Sequence, residues 1–308
     1  MMNKLLILAG PTGVGKSDLA VQLAKSLNGE IISSDSMQIY RGMDIGSAKI
    51  TPEEMEGVPH HLIDIVDPKE SFSAAQYQEL ALVTIKEIQA RGKLPIMTGG
   101  TGLYINAVIY PLEFTAADRS DAIRAKFEVY EASHGREALH DLLKAQDPIS
   151  AQRIHQNNVK RVIRALEVQE MTGQPFSSYG QEKHLRDDLT IFYYWISRDR
   201  EKLYHRINQR VDLMMEAGLL EEVKALKKRG LDRSAQSMQG IGYKEILDYL
   251  EGDISLEEAV NQIKQGSRNY AKRQMTWFRN EKNCTELSRE QMTDGEIMFK
   301  IEGELQNI

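Results

Sequence analysis

The sequence almost entirely lacks cysteine, with Cys284 as the single thiol among 308 residues. One cysteine excludes a disulfide within the chain and a zinc site built from several thiolates. Such low cysteine usage is typical of a reducing compartment, and we expect a cytoplasmic protein. Glycine and proline are also few, at 22 and 8 residues, which argues against collagen-like and low-complexity structure.

Long hydrophobic runs and an excess of positive charge are missing too. The opening run, residues 5–9, is too short for a signal-peptide core and far too short to cross a bilayer, so we expect no membrane association. The chain has 39 lysines and arginines against 45 aspartates and glutamates, for a formal net charge of −6. Any nucleic-acid site must therefore be a local basic patch.

The apolar pattern alternates between strands and helices, and the length suggests about two domains. Strands are predicted at residues 4–9, 30–34, 94–98 and 189–197, and helices at 73–91 and 200–229. Residues 114–188 show only helical segments, and the last two dozen residues give a weak signal. We predict an α/β fold with a P-loop NTPase-like parallel-sheet core, formed by residues 1–113 and 189–308, and a helical domain inserted at 114–188.

The strongest motif joins the first strand to the first helix and matches the pattern G-x-x-x-x-G-K-[ST]. Its glycines allow backbone N–H groups to converge on phosphate oxygens, Lys16 adds a positive charge, and Ser17 offers a hydroxyl to Mg²⁺. The predicted diphosphate-binding residues are Gly10, Pro11, Thr12, Gly13, Val14, Gly15, Lys16 and Ser17. The motif leaves the ligand open, because such a loop holds the diphosphate of many ligands.

The positions of carboxylates near the predicted sheet edge help to identify that ligand. A kinase of this fold usually supplies an acid at a strand end for Mg²⁺, but the strand at residues 94–98 is followed by Gly99 and Gly100. Asp35 instead follows the second strand, at the edge where open α/β sheets bind ligands. From the residues alone, Asp35 either closes the strand through an Asx turn or takes part in a site.

Several segments, taken in order, resemble the signatures of bacterial tRNA dimethylallyltransferases. The resemblance extends from about Leu5 to Arg279, and its most specific part is the run from Asp35 to Lys49. The matching segments are residues 10–17, 35–49, 59–64, 99–104, 157–167, 240–243 and 271–277. The resemblance implies that dimethylallyl diphosphate alkylates the exocyclic amine of the adenosine just 3′ of a tRNA anticodon, releasing pyrophosphate without consuming a nucleoside triphosphate.

The family pattern also implies roles for individual residues. It implies that the phosphate loop holds the prenyl diphosphate, places Thr101 at the reaction centre, and favours Arg210 over Arg206 as an arginine beside the phosphates. The zinc finger of some eukaryotic relatives is excluded here by the lone Cys284. The implied partners are dimethylallyl diphosphate and a tRNA anticodon stem-loop, and no obligate protein partner is evident.

An adenine amine is a weak nucleophile, because its lone pair is delocalised into the ring. Asp35 is therefore predicted to be the general base that takes the departing proton. Lys16, Arg210 and Mg²⁺ held through Ser17 would stabilise the leaving pyrophosphate. The predicted catalytic residues are Asp35, Thr101 and Arg210, with Mg²⁺ as the cofactor and Ser17 as its ligand.

Two local basic patches offset the negative net charge. Residues 151–165 contain four cations and no acid, and residues 268–282 contain five cations and one acid. Such patches suffice for phosphate contacts, and the target base must leave the loop stack to reach the sheet edge. The predicted tRNA-binding residues are Asp35, Ser36, Met37, Gln38, Thr101, Lys160, Arg161, Arg164, Lys272 and Arg273.

Two other functions remain open at this point. A nucleotide-dependent small-molecule kinase is favoured only by the phosphate loop, and a non-catalytic RNA-binding module would retain the fold alone. A metal site at His60 and His61 is not expected, because adjacent side chains on a strand point to opposite faces and no acid-rich ligand set accompanies them. We predict a structural role for both histidines.

Overall fold

The computed structural model describes residues 3–111, 120–179 and 184–306. The chain divides into two compact units: a sheet unit of Met1–Ile109 with Arg186–Ile308, and a helical unit of Tyr110–Leu185. The expected domain boundary at residues 113 and 114 lies outside the described residues. Across the described ranges, no helix combines the length and the apolar character that a bilayer crossing requires.

A parallel sheet forms the centre of the sheet unit. Its strands in the described residues are β1 (Lys4–Ala9), β2 (Gly29–Ser33), β3 (His60–His61), β4 (Leu94–Gly99), β5 (Thr190–Ser197) and β6 (Thr285–Ser288). The strand order is β3-β2-β4-β1-β5-β6, and every pairing is parallel. Residues 5–9 of β1 are fully buried, as expected for a sheet covered on both faces. The predicted parallel α/β fold is confirmed.

Helices surround the strands and make up the helical unit. In chain order they are α1 (Lys16–Ser26), α2 (Ala74–Ala90), α3 (Gly102–Ile109), α4 (Asp121–Gln146), α5 (Pro148–Arg153), α6 (Val159–Thr172), α7 (Arg200–Glu216), α8 (Leu219–Lys228), α9 (Tyr243–Glu251), α10 (Leu256–Arg279) and α11 (Asp294–Gln306). The predicted helix at 73–91 corresponds to α2. Ser73 caps it, with its side chain accepting a hydrogen bond from the backbone of Gln76.

The prediction of one long helix over residues 200–229 is wrong. The chain forms α7 and α8 instead, separated at Gly218, whose φ of 101° lies in the left-handed region. Glycine adopts this conformation without the steric cost that a Cβ brings, so it ends one helix and begins the next. The apolar spacing continues through the break, because Val211 and Leu219 are both buried.

The helical unit packs α4, α5 and α6 around its own core. Leu139, Leu143, Val162 and Leu166 are fully buried members of that core. Glu167 on α6 is fully buried as well. Its carboxylate accepts hydrogen bonds from Arg124 at 2.8 Å and Arg164 at 2.7 Å, together with one from the backbone of Ser120 at 2.9 Å. A buried carboxylate with these donors links the beginning of α4 to α6.

Candidate functional site

The phosphate loop crosses from β1 to α1 at the carboxyl edge of the sheet. Gly13 and Gly15 have φ values of 79° and 86°, in the region where glycine is favoured. Lys16 begins α1 and borders the cavities described below. Burial lowers the pKa of Lys16 to about 8, against the opposing effect of Asp35, while Arg210 lowers it further. Lys16, Asp35 and Arg210 therefore form one electrostatically coupled group.

Asp35 follows β2, where it forms the Asx turn that the sequence leaves open and also borders the site. Its Oδ1 accepts hydrogen bonds from the backbone N–H groups of Met37 at 2.9 Å and Gln38 at 3.4 Å, which is an Asx turn. The same carboxylate lines both cavities of the site. The turn fixes the orientation of the side chain, and the charge of Asp35 raises the pKa of both Lys16 and Arg210.

Thr101 lies in the turn between β4 and α3, against the segment that carries Asp35. The Thr101 hydroxyl oxygen accepts a hydrogen bond from Ser36 N at 3.1 Å, and the hydroxyl contacts Ser36 Oγ at 3.3 Å. The backbone N–H of Thr101 donates to Ser34 O at 3.1 Å. These contacts hold the two strand ends together, so Thr101 and Asp35 belong to one rigid edge.

The two arginines singled out on α7 occupy different positions. Arg210 donates to Thr12 Oγ1 at 3.2 Å and to Ala48 O at 3.4 Å, and it borders both cavities. Arg206 is exposed, borders one cavity and donates to Gly13 O at 3.0 Å. Burial lowers the pKa of Arg210, and the charge of Asp35 opposes that effect. Arg210 is the arginine that lies between the phosphate loop and Asp35.

Two cavities meet at this group of side chains. The first has a volume of about 420 Å³ and is bordered by Gly13, Gly15 and Ser17 of the phosphate loop. The second has a volume of about 330 Å³ and is bordered by Tyr270 and Arg273 of α10. The residues common to both are Thr12, Lys16, Asp35, Ser47, Ala48 and Arg210. A ligand in either cavity therefore contacts the same charged centre from its own side.

Sequence reasoning missed two side chains that hold the loops of this site. Arg289, which follows β6, donates to Val14 O at 3.0 Å and to Gly15 O at 3.1 Å. These hydrogen bonds stabilise the conformation of the phosphate loop. Glu222 on α8 accepts hydrogen bonds from three consecutive backbone N–H groups, residues 44–46, at 2.7–3.1 Å. Arg289 lies in a segment of weak signal, and Glu222 belongs to an ordinary charged helix. No local pattern marks either residue.

The two histidines of β3 differ in their surroundings, and His60 borders the first cavity. His60 Nδ1 lies 2.8 Å from Val58 O, and burial lowers the pKa of its ring. His61 Nε2 lies 2.7 Å from the buried carboxylate of Glu30, which also pairs with Arg91. Among the described residues, no group of three or more histidine, cysteine, aspartate or glutamate side chains is arranged to hold a metal ion.

The predicted tRNA-binding cations differ in their exposure to solvent and in their ion pairs. Lys160 and Arg161 are exposed on α6, whereas the neighbouring Arg164 already pairs with the buried Glu167. Lys272 and Arg273 are exposed on α10, with the Arg273 guanidinium 5.6 Å from the ring centre of Tyr270. The remaining predicted residues, Ser36, Met37 and Gln38, are half-buried beside Asp35.

Comparison with known proteins gives consistent results over nearly the whole chain. Residues 38–281 match the family described as IPP transferase. The tRNA dimethylallyltransferase of Geobacillus kaustophilus (strain HTA426) is 53% identical, with 98% of this chain and 95% of that protein covered. The tRNA dimethylallyltransferase of Geobacillus thermodenitrificans (strain NG80-2) is 55% identical, with 91% and 89% covered.

Solved structures give the same answer. The full-length tRNA isopentenylpyrophosphate transferase from Bacillus halodurans is 49% identical with a TM-score of 0.74, and the match covers 99% of this chain and 97% of that one. A eukaryotic dimethylallyltransferase whose structures were described as acting on tRNA is 30% identical with a TM-score of 0.81, and 97% and 77% of the chains are covered.

Proposed function

The chain belongs to the IPP transferase family and is a tRNA-modifying prenyltransferase, and on that premise we propose that it transfers a dimethylallyl group from dimethylallyl diphosphate to tRNA. The acceptor is the exocyclic amine of the adenosine 3′ of the anticodon, and pyrophosphate is released. The observation that carries this proposal is the pair of cavities that meet at Lys16, Asp35 and Arg210. A kinase is not favoured, because the relatives are transferases of this one kind.

The two cavities suggest how the substrates divide the site. The diphosphate occupies the first cavity, where phosphate-loop N–H groups, Lys16 and Arg210 supply positive charge. The adenine enters from the second cavity, beside Tyr270 and the cationic Arg273. A flipped base stacks well on aromatic and guanidinium surfaces. Donor and acceptor then approach each other at Asp35.

The reaction breaks the bond between the allylic carbon and the diphosphate oxygen and forms a bond from that carbon to the adenine nitrogen. The nitrogen loses a proton, which Asp35 accepts. The Asx turn occupies Oδ1 with two backbone N–H groups, so Oδ2 is the oxygen that faces the amine. Lys16 and Arg210 hold the negative charge of the departing pyrophosphate, and Thr101 keeps the Asp35 segment in place.

Mg²⁺ is proposed as the cofactor on the chemistry of the donors. Mg²⁺ usually binds proteins through one or two oxygen ligands and takes its other ligands from phosphates and water. Ser17, exposed at the beginning of α1, offers such an oxygen in the first cavity. When bound, Mg²⁺ neutralises charge on the diphosphate oxygens. We also propose that the reaction takes place in the cytoplasm, in keeping with the single cysteine.

The proposed reaction is tested by supplying alternative donors. We expect incubation with bulk tRNA and dimethylallyl diphosphate to release pyrophosphate and to leave one prenylated adenosine, located 3′ of the anticodon by sequencing the modified RNA. ATP in place of the prenyl donor should give no modified RNA. Phosphate transfer from ATP to a small molecule, or tRNA binding without prenylation, would contradict the proposal.

The exposed cations of α6 are proposed to contact tRNA phosphates. Replacement of Lys160 and Arg161 by alanine should weaken tRNA binding and reduce the slope of log affinity against log salt by roughly 1.4–1.8, since each phosphate contact contributes about 0.7–0.9. Arg164 is left in place, because its removal would deprive the buried Glu167 of a partner. Affinity for dimethylallyl diphosphate should not change.

The matched control for this measurement is Arg136→Ala combined with Lys144→Ala. Both residues are exposed cations on α4 of the same unit, so the control removes equal charge from a different helix. Its salt slope should equal that of the wild-type protein. A wild-type slope in the Lys160 and Arg161 variant, with an unchanged melting temperature, would show that these cations make no phosphate contact.

A further inference from the structure

Gln274 on α10 joins the two glycine-rich loops of the site. Its side chain is almost completely buried, with 5% exposed. The amide oxygen accepts a hydrogen bond from Thr12 N in the phosphate loop at 3.0 Å. The amide nitrogen donates to Gly100 O, in the turn after β4, at 2.9 Å. A backbone N–H only donates and a carbonyl only accepts, so these two partners fix the orientation of the amide.

The backbone on the Gly100 side is shaped to admit this amide. A Cβ built on Gly100 would lie 2.1 Å from the amide nitrogen of Gln274 and 3.3 Å from Gly10 O. No real Cβ tolerates the first of these separations, so a side chain at position 100 would expel the amide or displace the turn. Gln274 can therefore be buried against this turn because Gly100 has no side chain.

Further hydrogen bonds extend from both ends of the bridge to the reacting groups. On one side, Thr12 accepts from Arg210 through its hydroxyl at 3.2 Å. On the other, Thr101 follows Gly100 and accepts from Ser36 N at 3.1 Å, next to Asp35. A continuous set of contacts therefore connects the arginine beside the leaving group with the carboxylate beside the amine. Gln274 is at its centre.

We propose that Gln274 is a positioning residue that sets the distance between the diphosphate and the attacked amine. This inference rests on the proposed function, because it concerns the relative placement of the two substrates. Gln274 borders the second cavity as well, but its amide oxygen and nitrogen bond the two loops rather than a substrate. It fixes the phosphate loop and the Thr101 turn relative to each other, and a displacement on the order of 1 Å between reacting groups costs about 10²-fold in rate.

The kinetic consequence differs from that of a binding residue. If each substrate still binds in its own cavity, loss of the bridge lowers the rate of transfer and leaves both affinities near the wild-type values. A purely structural role predicts lower stability with normal transfer by the folded fraction. A role confined to the phosphate loop predicts weaker diphosphate binding in proportion to the slower transfer.

The first test replaces Gln274 by methionine, which keeps the length of the side chain and removes both hydrogen bonds. We expect single-turnover transfer to fall by roughly 10- to 10²-fold, with the dissociation constants for inorganic pyrophosphate and for tRNA within about twofold of wild type. Calorimetry measures the first constant and filter binding the second. Gln262→Met is the matched control, because Gln262 is exposed on the same helix, and its transfer rate should be unchanged.

The second test approaches the contact from the other side. Gly100→Ala should produce the same rate defect, and combining it with Gln274→Ala should be no worse than Gln274→Ala alone, because the shorter side chain leaves room for the new methyl group. Additive rate defects would show that the two residues act separately and would overturn the proposal. If Gln274→Met does not fold, the comparison of Gln274→Ala with the double variant still tests the proposal.

The outcomes separate this inference from the proposed function. Wild-type transfer by folded Gln274→Met, or a loss of pyrophosphate affinity equal to the loss of rate, would overturn the positioning role while leaving the reaction intact. Absence of prenylation by the wild-type protein would instead refute the proposed reaction. In that case, the pyrophosphate and tRNA affinities of the variants would still show whether each ligand binds without the Gln274 bridge.

Discussion

Asp35→Asn is expected to slow single-turnover transfer by roughly 10²–10⁴, the usual contribution of a positioned general base. Asparagine retains an oxygen that accepts from the backbone N–H groups of Met37 and Gln38, so the Asx turn survives. It cannot accept the proton of the adenine amine. Affinity for inorganic pyrophosphate should remain near the wild-type value, because the phosphate loop is unchanged.

The control for this variant is Asp232→Asn. Asp232 also accepts from a backbone N–H two residues onward, that of Ser234 at 2.8 Å, but it lies on the surface away from both cavities. Its transfer rate should equal that of the wild-type protein. If Asp35→Asn transferred the prenyl group at the wild-type rate, another group would have to be the base.

Lys16→Ala should reduce both pyrophosphate affinity and transfer, the latter by roughly 10²–10³, because its charge faces the phosphates before and during bond cleavage. The pKa of Lys16, lowered to about 8 mainly by burial, adds a pH dependence. Only the protonated amine attracts the diphosphate, so affinity should be highest below pH 8 and decline as the pH rises above it. The charge of Asp35 raises this pKa and the charge of Arg210 lowers it, each by less than burial does.

Lys16→Arg is the matched variant for the pH profile. A guanidinium stays charged far above pH 8, so its affinity, even if lower overall, should not decline between pH 7 and about pH 10. Calorimetric titration with inorganic pyrophosphate at several pH values gives both profiles. Parallel profiles for wild type and Lys16→Arg would assign the pH dependence to another group, and unchanged affinity in Lys16→Ala would remove Lys16 from the site.

Local patterns in the sequence were sufficient for the phosphate loop and for the strands β1, β2, β4 and β5, but not for β3 and β6. The apolar runs at β1, β4 and β5 are continuous because both faces of a parallel sheet are buried, and this makes them visible without a structure. The loop between β1 and α1 is visible because its glycines and Lys16 are contiguous in the chain. Strand β3, with two residues, is too short for any periodicity and is defined by its pairing with β2.

Contacts between distant parts of the chain could not be predicted in this way. Gln274 and Thr12 are separated by 262 positions, and Arg289 and Val14 by 275. Each is an ordinary residue of its segment until the fold brings it to the loop. Arg164 shows the converse, since its position in a basic patch suggests solvent or RNA contact while its guanidinium pairs with the buried Glu167. Packing decides such cases.

The order of the strands has a consequence for synthesis on the ribosome. β1 is an interior strand whose two neighbours are β4, ending at Gly99, and β5, beginning at Thr190. At roughly 5–20 residues per second, translation needs on the order of ten seconds to pass from one neighbour to the other. Throughout that interval the nascent chain carries a strand whose residues 5–9 are all apolar and which has one unpaired edge. Early folding of the helical unit cannot cover this edge, because β5 is the strand that pairs with it. Growing chains therefore pass through an aggregation-prone stage that ends when β5 joins the sheet.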